Sequence, residues 1–247
     1  MEAYVKVSEQ GKVAVVEFFH PKSNAMSSKM LIKLAQEIDT LAKREDLNVI
    51  AIQSKGEVFC AGAFFDELLE INDSAQGEQF FLGFAKVILA IKMSKALVLT
   101  KVQGKAVGGA VGIIAASDYL IGSNDAKVRL SELTIGLGPF VISPVIKSKI
   151  TNTSFMHLAL NPQSWFDAEW CLQNKLFNSC VNINELDFAF EQKLEELSSY
   201  NTKAIHCLKS EENLTALESE LHRLAIVSGD LVTSSDTKRI LKTFIDR

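Results

Sequence analysis

The fold is decided by one short stretch of small residues, Gly104-Lys105-Ala106-Val107-Gly108-Gly109-Ala110, which follows a predicted strand and runs directly into an apolar helix. Glycine and alanine let a ligand approach the backbone closely. The first amide groups of a helix have no partner within the helix, and the positive end of the helix dipole lies behind them. The stretch therefore predicts a backbone site for an anion or for a developing oxyanion.

A second stretch of the same kind, Phe59-Cys60-Ala61-Gly62-Ala63, follows an earlier predicted strand. Taken alone, either stretch is also typical of an ordinary tight turn between a strand and a helix. Two converging backbone N–H groups, one from each stretch, would form an oxyanion hole. The pair therefore indicates acyl chemistry more strongly than either stretch does alone.

The hydrophobic pattern alternates between strands and helices over the first two thirds of the chain. It predicts a hairpin over 5–19, a polar loop through Gly77 and a long helix over 80–93. Repeated strand, turn and helix units are typical of stacked crossover connections. From about Val141 onward the pattern predicts helices, with a single short strand-like run over 176–181.

The composition is that of an ordinary globular protein, with 47% hydrophobic and 23% charged residues among 247 and a net charge of -4. This length predicts one large domain, or a domain with appended helices. No basic cluster indicates nucleic acid, and no apolar run is long enough for a membrane span. The first residues lack the apolar core of a signal peptide, so we expect a cytoplasmic protein.

The cysteines are scattered along the chain and lack the spacing of a metal site, so we expect no metal. Cys60 lies inside the second small-residue stretch, where a nucleophile would be well placed. No histidine, asparagine or aspartate lies near it in sequence to activate it. We therefore favour a packing role for this thiol.

Five motifs in succession resemble the crotonase superfamily, the enoyl-CoA hydratase/isomerase group. They are Pro21-Lys22-Ser23-Asn24-Ala25-Met26-Ser27, the stretch at 59–63, the stretch at 104–109, Ser117-Asp118-Tyr119, and Glu132 with Gly136 and Pro139. The resemblance implies an α/β fold, a crotonase-like spiral of repeated ββα units with a helical C-terminal region. It places the spiral core at 1–185 and a helical region for trimerisation or as a lid at 186–247. It also implies an acyl-CoA substrate, no separate cofactor, and a homotrimer or dimer of trimers.

The resemblance also assigns roles to individual residues. The N–H groups of Ala63 and Gly109 would hold the thioester carbonyl, and Glu132 would be the catalytic acid and base. Lys22 would contact a phosphate, and Cys60 and Ala61 would lie near the adenine. The expected substrate-binding residues are Lys22, Cys60, Ala61, Gly62, Gly108, Gly112, Pro139 and Phe140.

Two positions depart from the pattern of a typical hydratase. Gly112 stands where such an enzyme carries its second glutamate, and Phe140 follows Pro139 where a glycine is usual. Hydration requires a water held and activated on one face, whereas one glutamate suffices to move a proton between two carbons. The sequence therefore predicts an enoyl-CoA hydratase or isomerase with a single catalytic glutamate, and the departures favour the isomerase.

Three alternatives stay open from the sequence. Asp66, Glu67 and Glu70 follow the second small-residue stretch and would be able to lend another carboxylate, although acidic residues are also typical of a helix start. The resemblance also leaves room for decarboxylation, dehalogenation or thioester hydrolysis, since the fold alone does not choose among them. Ser131 or Cys60 would be the nucleophile of a hydrolase, but neither has an identifiable base. A paralogue that binds acyl-CoA without turning it over is the third alternative.

Overall fold

The computed structural model describes residues 2–210 and 214–245. The strands within these residues are β1 (Tyr4–Gln10), β2 (Val13–Phe19), β3 (Val49–Ser54), β4 (Leu97–Val102), β5 (Lys105–Val107), β6 (Tyr119–Ser123), β7 (Lys127–Arg129), β8 (Phe166–Asp167) and β9 (Ser179–Val181). The helices are α1 (Ser28–Ala42), α2 (Phe65–Glu70), α3 (Ser74–Lys92), α4 (Gly109–Ala116), α5 (Ser143–Lys149), α6 (Asn152–Leu160), α7 (Ala168–Gln173), α8 (Leu186–Ser198), α9 (Thr202–Ser210), α10 (Thr215–Val232) and α11 (Ser235–Ile245). Short 3-10 helices lie at Glu132–Ile135 and Ile183–Glu185.

The main sheet has six strands in the order β1-β2-β3-β4-β6-β9. The predicted hairpin is confirmed, because β1 pairs with β2 in antiparallel fashion, and the remaining neighbours in this sheet are parallel. Five of the six residues of β3 are buried, as expected for a parallel strand covered on both faces. The crossover arrangement predicted from the alternating pattern is therefore present.

A second, three-stranded sheet in the order β5-β7-β8 was not predicted from the sequence. Its strands contain only two or three residues each, which is too short for an alternating pattern to show. The expectation of one strand-like run after Val141 is wrong, since both β8 and β9 lie there. This small sheet matters because β5 leads directly into Gly108 and Gly109.

The predicted loop through Gly77 is also wrong, because α3 begins at Ser74. The carboxylate of Asp73 accepts a hydrogen bond from the N–H of Gln76 and caps the helix at 2.8 Å. A Cβ atom at Gly77 would lie 2.7 Å from the Cα of Gly229 in α10. The glycine therefore allows two helices to cross closely and does not mark a loop.

The C-terminal helices cover both faces of the main sheet. Leu221, Leu224 and Ala225 of α10 belong to the large hydrophobic core on one face. Leu186 and Phe190 of α8 pack in a smaller core on the other face with residues of β3, β4 and β6. The division into a core at 1–185 and a helical region at 186–247 stays a prediction. No helix among the described residues combines the length and the apolar character needed to cross a bilayer.

Candidate active site

The two small-residue stretches are aligned by a parallel β-bridge between Cys60 and Ala106. The N–H of Val107 donates to the carbonyl of Cys60 at 3.0 Å. Both stretches run in the same direction from this bridge, and Ala63 and Gly109 each lie three residues further on. Both residues line the same cavity.

The close approach of the two stretches depends on glycine. A Cβ atom at Gly62, where φ is +86°, would lie 2.7 Å from the carbonyl oxygen of Val107. Gly108 has a φ of +55°, a conformation that other residues rarely adopt. Substituting Gly62 would force the two segments apart, whereas substituting Gly108 would strain its backbone and crowd Glu132.

The amide groups of Ala63 and Gly109 differ from those of their neighbours. The N–H of Ala61 donates to Ser23 at 3.0 Å, and that of Gly108 donates to Arg129 at 2.9 Å. Within residues 2–210 and 214–245, no acceptor lies within hydrogen-bond distance of the N–H of Ala63 or of Gly109. Both residues line the same cavity, so two unused backbone donors are available there.

Glu132 begins the 3-10 helix that follows β7, and its carboxylate lies against Gly108. A Cβ atom at Gly108 would be 3.0 Å from the Oε1 atom of Glu132. The Oε2 atom is buried and has no hydrogen-bond partner among the described residues. Burial raises the pKa of this carboxyl group to about 7, and a hydrogen bond from its own backbone N–H offsets only part of that effect. A carboxyl group with such a pKa is able to gain and lose a proton near neutral pH.

The cavity around Glu132 is small, with a volume of about 60 Å³, and its walls are mainly apolar. The larger apolar side chains in its lining are Phe65, Leu68, Phe81, Phe84, Val107, Ile135, Leu137, Pro139, Phe140, Val141 and Ile142. Among the described residues that line it, Glu132 alone has an ionisable side chain. The cavity therefore surrounds the Glu132 carboxyl group mainly with apolar side chains.

Gly112 lies in α4, about one turn beyond Gly109, and is covered by Ile142. A Cβ atom at Gly112 would lie 2.3 Å from the Cγ2 atom of Ile142. Gly112 itself does not line the cavity, whereas Ile142 and Phe140 do. The place that a side chain at position 112 would need is therefore occupied by a hydrocarbon.

The structure brings together eight of the predicted site residues, which line the cavity: Ala61, Gly62, Ala63, Gly108, Gly109, Glu132, Pro139 and Phe140. Three others do not line it, namely Lys22, Cys60 and Gly112. Lys22 lies at the surface, where its Nζ atom forms an ion pair with Asp66 at 2.6 Å. Cys60 contributes its backbone to the bridge that aligns the site.

Of the two alternative nucleophiles, Ser131 lines the cavity, whereas Cys60 and the alternative carboxylates receive no support from their surroundings. The thiol of Cys60 is fully buried, and burial raises its pKa to about 12, so it is not a reactive thiolate. Asp66 is exposed and paired with Lys22, and Glu67 accepts a hydrogen bond from the N–H of Ser28 at 2.8 Å. None of Asp66, Glu67 and Glu70 lines the cavity.

The sequence analysis missed several lining residues, above all Phe81 and Phe84 of α3, Ser228 of α10, and Ile142, which precedes α5. In sequence they belong to ordinary helical or apolar patterns. They reach the cavity only through the packing of helices that are distant in sequence, such as α10 on α3 and α3 on α4. Among the described residues, no three His, Cys, Asp or Glu side chains are grouped so that they would hold a metal ion.

The sequence matches a known protein family over almost its whole length. Residues 8–239 match the family described as enoyl-CoA hydratase/isomerase. The short-chain-enoyl-CoA hydratase of Clostridium acetobutylicum is 25% identical over 98% of this chain and 95% of its own length. The bacillaene synthase dehydratase PksH of Bacillus subtilis is 25% identical over 89% of this chain and 83% of its own.

A solved structure of an enoyl-CoA hydratase from Bacillus halodurans superposes with a TM-score of 0.87 at 20% identity. The match covers 97% of this chain and 99% of that one. The chain therefore belongs to the enoyl-CoA hydratase/isomerase family and has the crotonase fold. The fold class predicted from the sequence is confirmed, as is the resemblance on which it was based.

Proposed function

We propose that this protein is an acyl-CoA enzyme in which Glu132 alone transfers the proton, and that it moves the double bond of an enoyl-CoA. The observation that carries the proposal is the buried, unpartnered Oε2 atom of Glu132 in an apolar cavity. An unpartnered buried carboxylate oxygen is costly, and such groups are typical of functional sites.

Ala63 and Gly109 supply the electrostatic part of this mechanism. A proton next to a thioester carbonyl is too weakly acidic to leave near neutral pH unless the enolate oxygen is stabilised. The free N–H groups of Ala63 and Gly109 would donate to that oxygen inside an apolar cavity. Loss of one such donor typically lowers the rate by about two to three orders of magnitude.

Glu132 supplies the proton transfer itself. In a 3-enoyl thioester, its carboxylate removes a proton from the α carbon, and the electrons of the broken C–H bond pass into a dienolate. The protonated Glu132 then returns the proton to the γ carbon, which gives the 2-enoyl thioester. The raised pKa suits both steps, because one group must accept and release a proton at the working pH.

Hydration is less well supported because the described lining of the cavity holds no second carboxylate to activate a water; its other polar side chains are the hydroxyls of Ser131 and Ser228. The resemblance expects the second glutamate of a hydratase at Gly112, and Ile142 fills the space beside that residue. The ring of Phe140 adds a further apolar surface to the lining. These contacts favour movement of a double bond over addition of water.

The remaining proposals concern the ends of the ligand and the assembly. We propose that Lys22 contacts a phosphate of coenzyme A, that Cys60 and Ala61 lie near the adenine, and that no separate cofactor takes part.

We also propose a homotrimer or a dimer of trimers. Leu133 and Met156 support an assembly, since they are 47% and 41% exposed on neighbouring elements near the site. Light scattering would contradict the assembly if it gave the mass of one chain.

The test is to incubate the protein with crotonyl-CoA and with a 3-enoyl-CoA in deuterated water, with Glu132→Gln in parallel. Wild type is expected to convert the 3-enoyl thioester to the 2-enoyl thioester, with a change in double-bond absorbance and no added water by mass. A 3-hydroxyacyl product from crotonyl-CoA would establish hydration instead. Binding without turnover or deuterium uptake on either substrate would establish a binding paralogue.

A further inference from the structure

Helix α11 contacts two elements that contribute residues to the wall of the Glu132 cavity, the segment after Glu132 and α2. The hydroxyl of Thr237 donates to the carbonyl of Gly136 at 3.0 Å. The Nζ atom of Lys238 donates to the carbonyls of Leu68 and Leu69 at 2.9 and 3.0 Å. Two adjacent residues of one helix therefore connect the end of the Glu132 segment to the end of α2.

The Thr237 contact is made at the point where the Glu132 helix ends. Gly136 terminates that 3-10 helix in a left-handed conformation, with a φ of +76°. A Cβ atom at Gly136 would lie 2.7 Å from the Oγ1 atom of Thr237, so the glycine admits this hydroxyl. Thr237 is 1% exposed, and its hydroxyl also accepts a hydrogen bond from Ser234 at 3.0 Å. The hydroxyl is therefore fixed in direction as well as in position.

The Lys238 contact is made at the last turn of α2, the helix that contributes Phe65 and Leu68 to the cavity. Carbonyl groups at the C-terminal end of a helix lack partners within the helix and favour a cation. Burial of the ammonium group lowers the pKa of Lys238. Lys238 therefore binds the C-terminal end of α2 although partial burial disfavours its charged form.

We propose that Thr237 is a positioning residue for Glu132, and that α11 clamps the Glu132 segment and α2 together so that water is kept from the carboxylate. The catalytic consequence rests on the function proposed above. The geometric claim does not, because it concerns the surroundings of Glu132 in the protein without substrate.

The charges around the Glu132 segment allow the clamp to be tested through that carboxyl group. The ionisable side chains on the elements packed against it are Asp236, Lys238, Arg239 and Lys242 of α11, His157 of α6 and Arg129 of β7. Asp236 and Arg239 form an ion pair at 3.0 Å, and none of the six lines the cavity. Replacing Thr237 by valine changes no charge, so a change in the titration of Glu132 would report access of water.

The experiment compares Thr237→Val with Thr237→Ser by carbon-13 NMR titration of glutamate carboxyl groups, with Glu132→Gln used to assign the signal. Thr243→Val is the matched control, because its hydroxyl bonds within α11 to Ile240 at 2.7 Å. Thr237→Val is expected to lower the pKa of Glu132 by about one unit as water enters. Thr237→Ser and the control are expected to titrate like wild type.

Turnover provides the second measurement. Thr237→Val is expected to lower kcat by roughly tenfold and to shift the acid limb of its pH profile downward, because misplacement of a catalytic group is costly. Lys238→Met is expected to raise KM several-fold, because it releases the α2 wall. The proposal would be overturned by a Thr237→Val protein that has a lower Tm but keeps both the Glu132 titration and the pH profile of wild type. If Thr237→Val does not fold, a Lys238→Met variant with unchanged KM would overturn it instead. A shifted titration in a protein that turns over no acyl-CoA would uphold the clamp and reject the proposed function.

Discussion

The resemblance implies a glutamate at both position 132 and position 112 of a typical hydratase, and the surroundings of these two positions in this protein are opposite. At position 132 the carboxylate is kept, buried and left without a partner for one oxygen. At position 112 there is no side chain, and the methyl groups of Ile142 fill the adjacent space. The difference teaches that the two positions have opposite surroundings: one holds a carboxylate oxygen without a partner, and the other is closed to a side chain by a hydrocarbon. This contrast is what the proposed transfer of a proton by Glu132 alone would require.

The largest expected effect is that of removing the kept carboxylate. Glu132→Gln retains the shape of the side chain but is unable to accept a proton, so kcat should fall by about two to four orders of magnitude. Binding of acyl-CoA should change little, since the amide donors of Ala63 and Gly109 remain. Steady-state kinetics and calorimetric titration measure the two effects separately. Equal losses in kcat and in affinity would argue against a chemical role.

A glutamate introduced at position 112 should support hydration only when Ile142 is replaced by a smaller residue as well. Gly112→Glu alone would force a side chain into Ile142 and cost about 1–3 kcal/mol or more of folding free energy. Ile142→Ala makes space at a cost of about 2–5 kcal/mol on its own. We expect water addition to crotonyl-CoA in the double variant and in neither single variant, measured by mass. Hydration by Gly112→Glu alone would show that Ile142 does not block the position.

The stability of the protein should depend on pH through Glu132. Its pKa is about 7 in the folded protein, against an ordinary value of 4.5 that applies to the unfolded chain. Below pH 4.5 both states bind the proton, but between 4.5 and 7 only the folded state retains it. The free energy of unfolding therefore falls by about 3 kcal/mol at most as pH rises through this window, and it stays at the lower value above pH 7.

Glu132→Gln lacks this loss, because its amide does not ionise. The variant should therefore be more stable than wild type at pH 8, and the difference in Tm should shrink toward pH 4.5. Thermal unfolding at several pH values measures it. A difference that does not vary with pH would mean that Glu132 titrates normally in the folded protein.

The smallest expected effect concerns Lys22. Its ion pair with Asp66 is exposed on both sides, so Lys22→Ala should change folding stability by less than about 1 kcal/mol. If Lys22 contacts a phosphate, the variant should raise KM for an acyl-CoA by roughly fivefold. KM for the matching pantetheine thioester, which has no nucleotide, should stay the same. Equal changes in KM for both thioesters would show that Lys22 does not contact the nucleotide part of the substrate.

Prediction from sequence worked best where the information is local or follows from chain register. The spacing from Cys60 to Ala63 equals that from Ala106 to Gly109, and with the bridge between Cys60 and Ala106 both stretches line one cavity. The crossover units are confirmed, and Glu132 lines the same cavity, while its role stays a prediction. The second sheet was missed because strands of two or three residues carry no readable period.

The helix through Gly77 was missed because a glycine that serves a helix crossing looks like a turn in sequence. Ile142 was missed for a related reason. Its role depends on which distant residue it covers, and no local pattern encodes a contact between α4 and the segment before α5. Sequence therefore indicated that a carboxylate was absent at Gly112, but only the packing shows what takes its space.

The most direct test of a single proton-transferring carboxylate is exchange at the α carbon of a saturated acyl-CoA in deuterated water, because it requires neither a double bond nor an added water. Wild type is expected to incorporate deuterium at that carbon, at a rate that rises with pH and levels off above about 7, and Glu132→Gln should incorporate none above background. Equal incorporation by the two proteins would contradict the account, because another group would then be removing the proton.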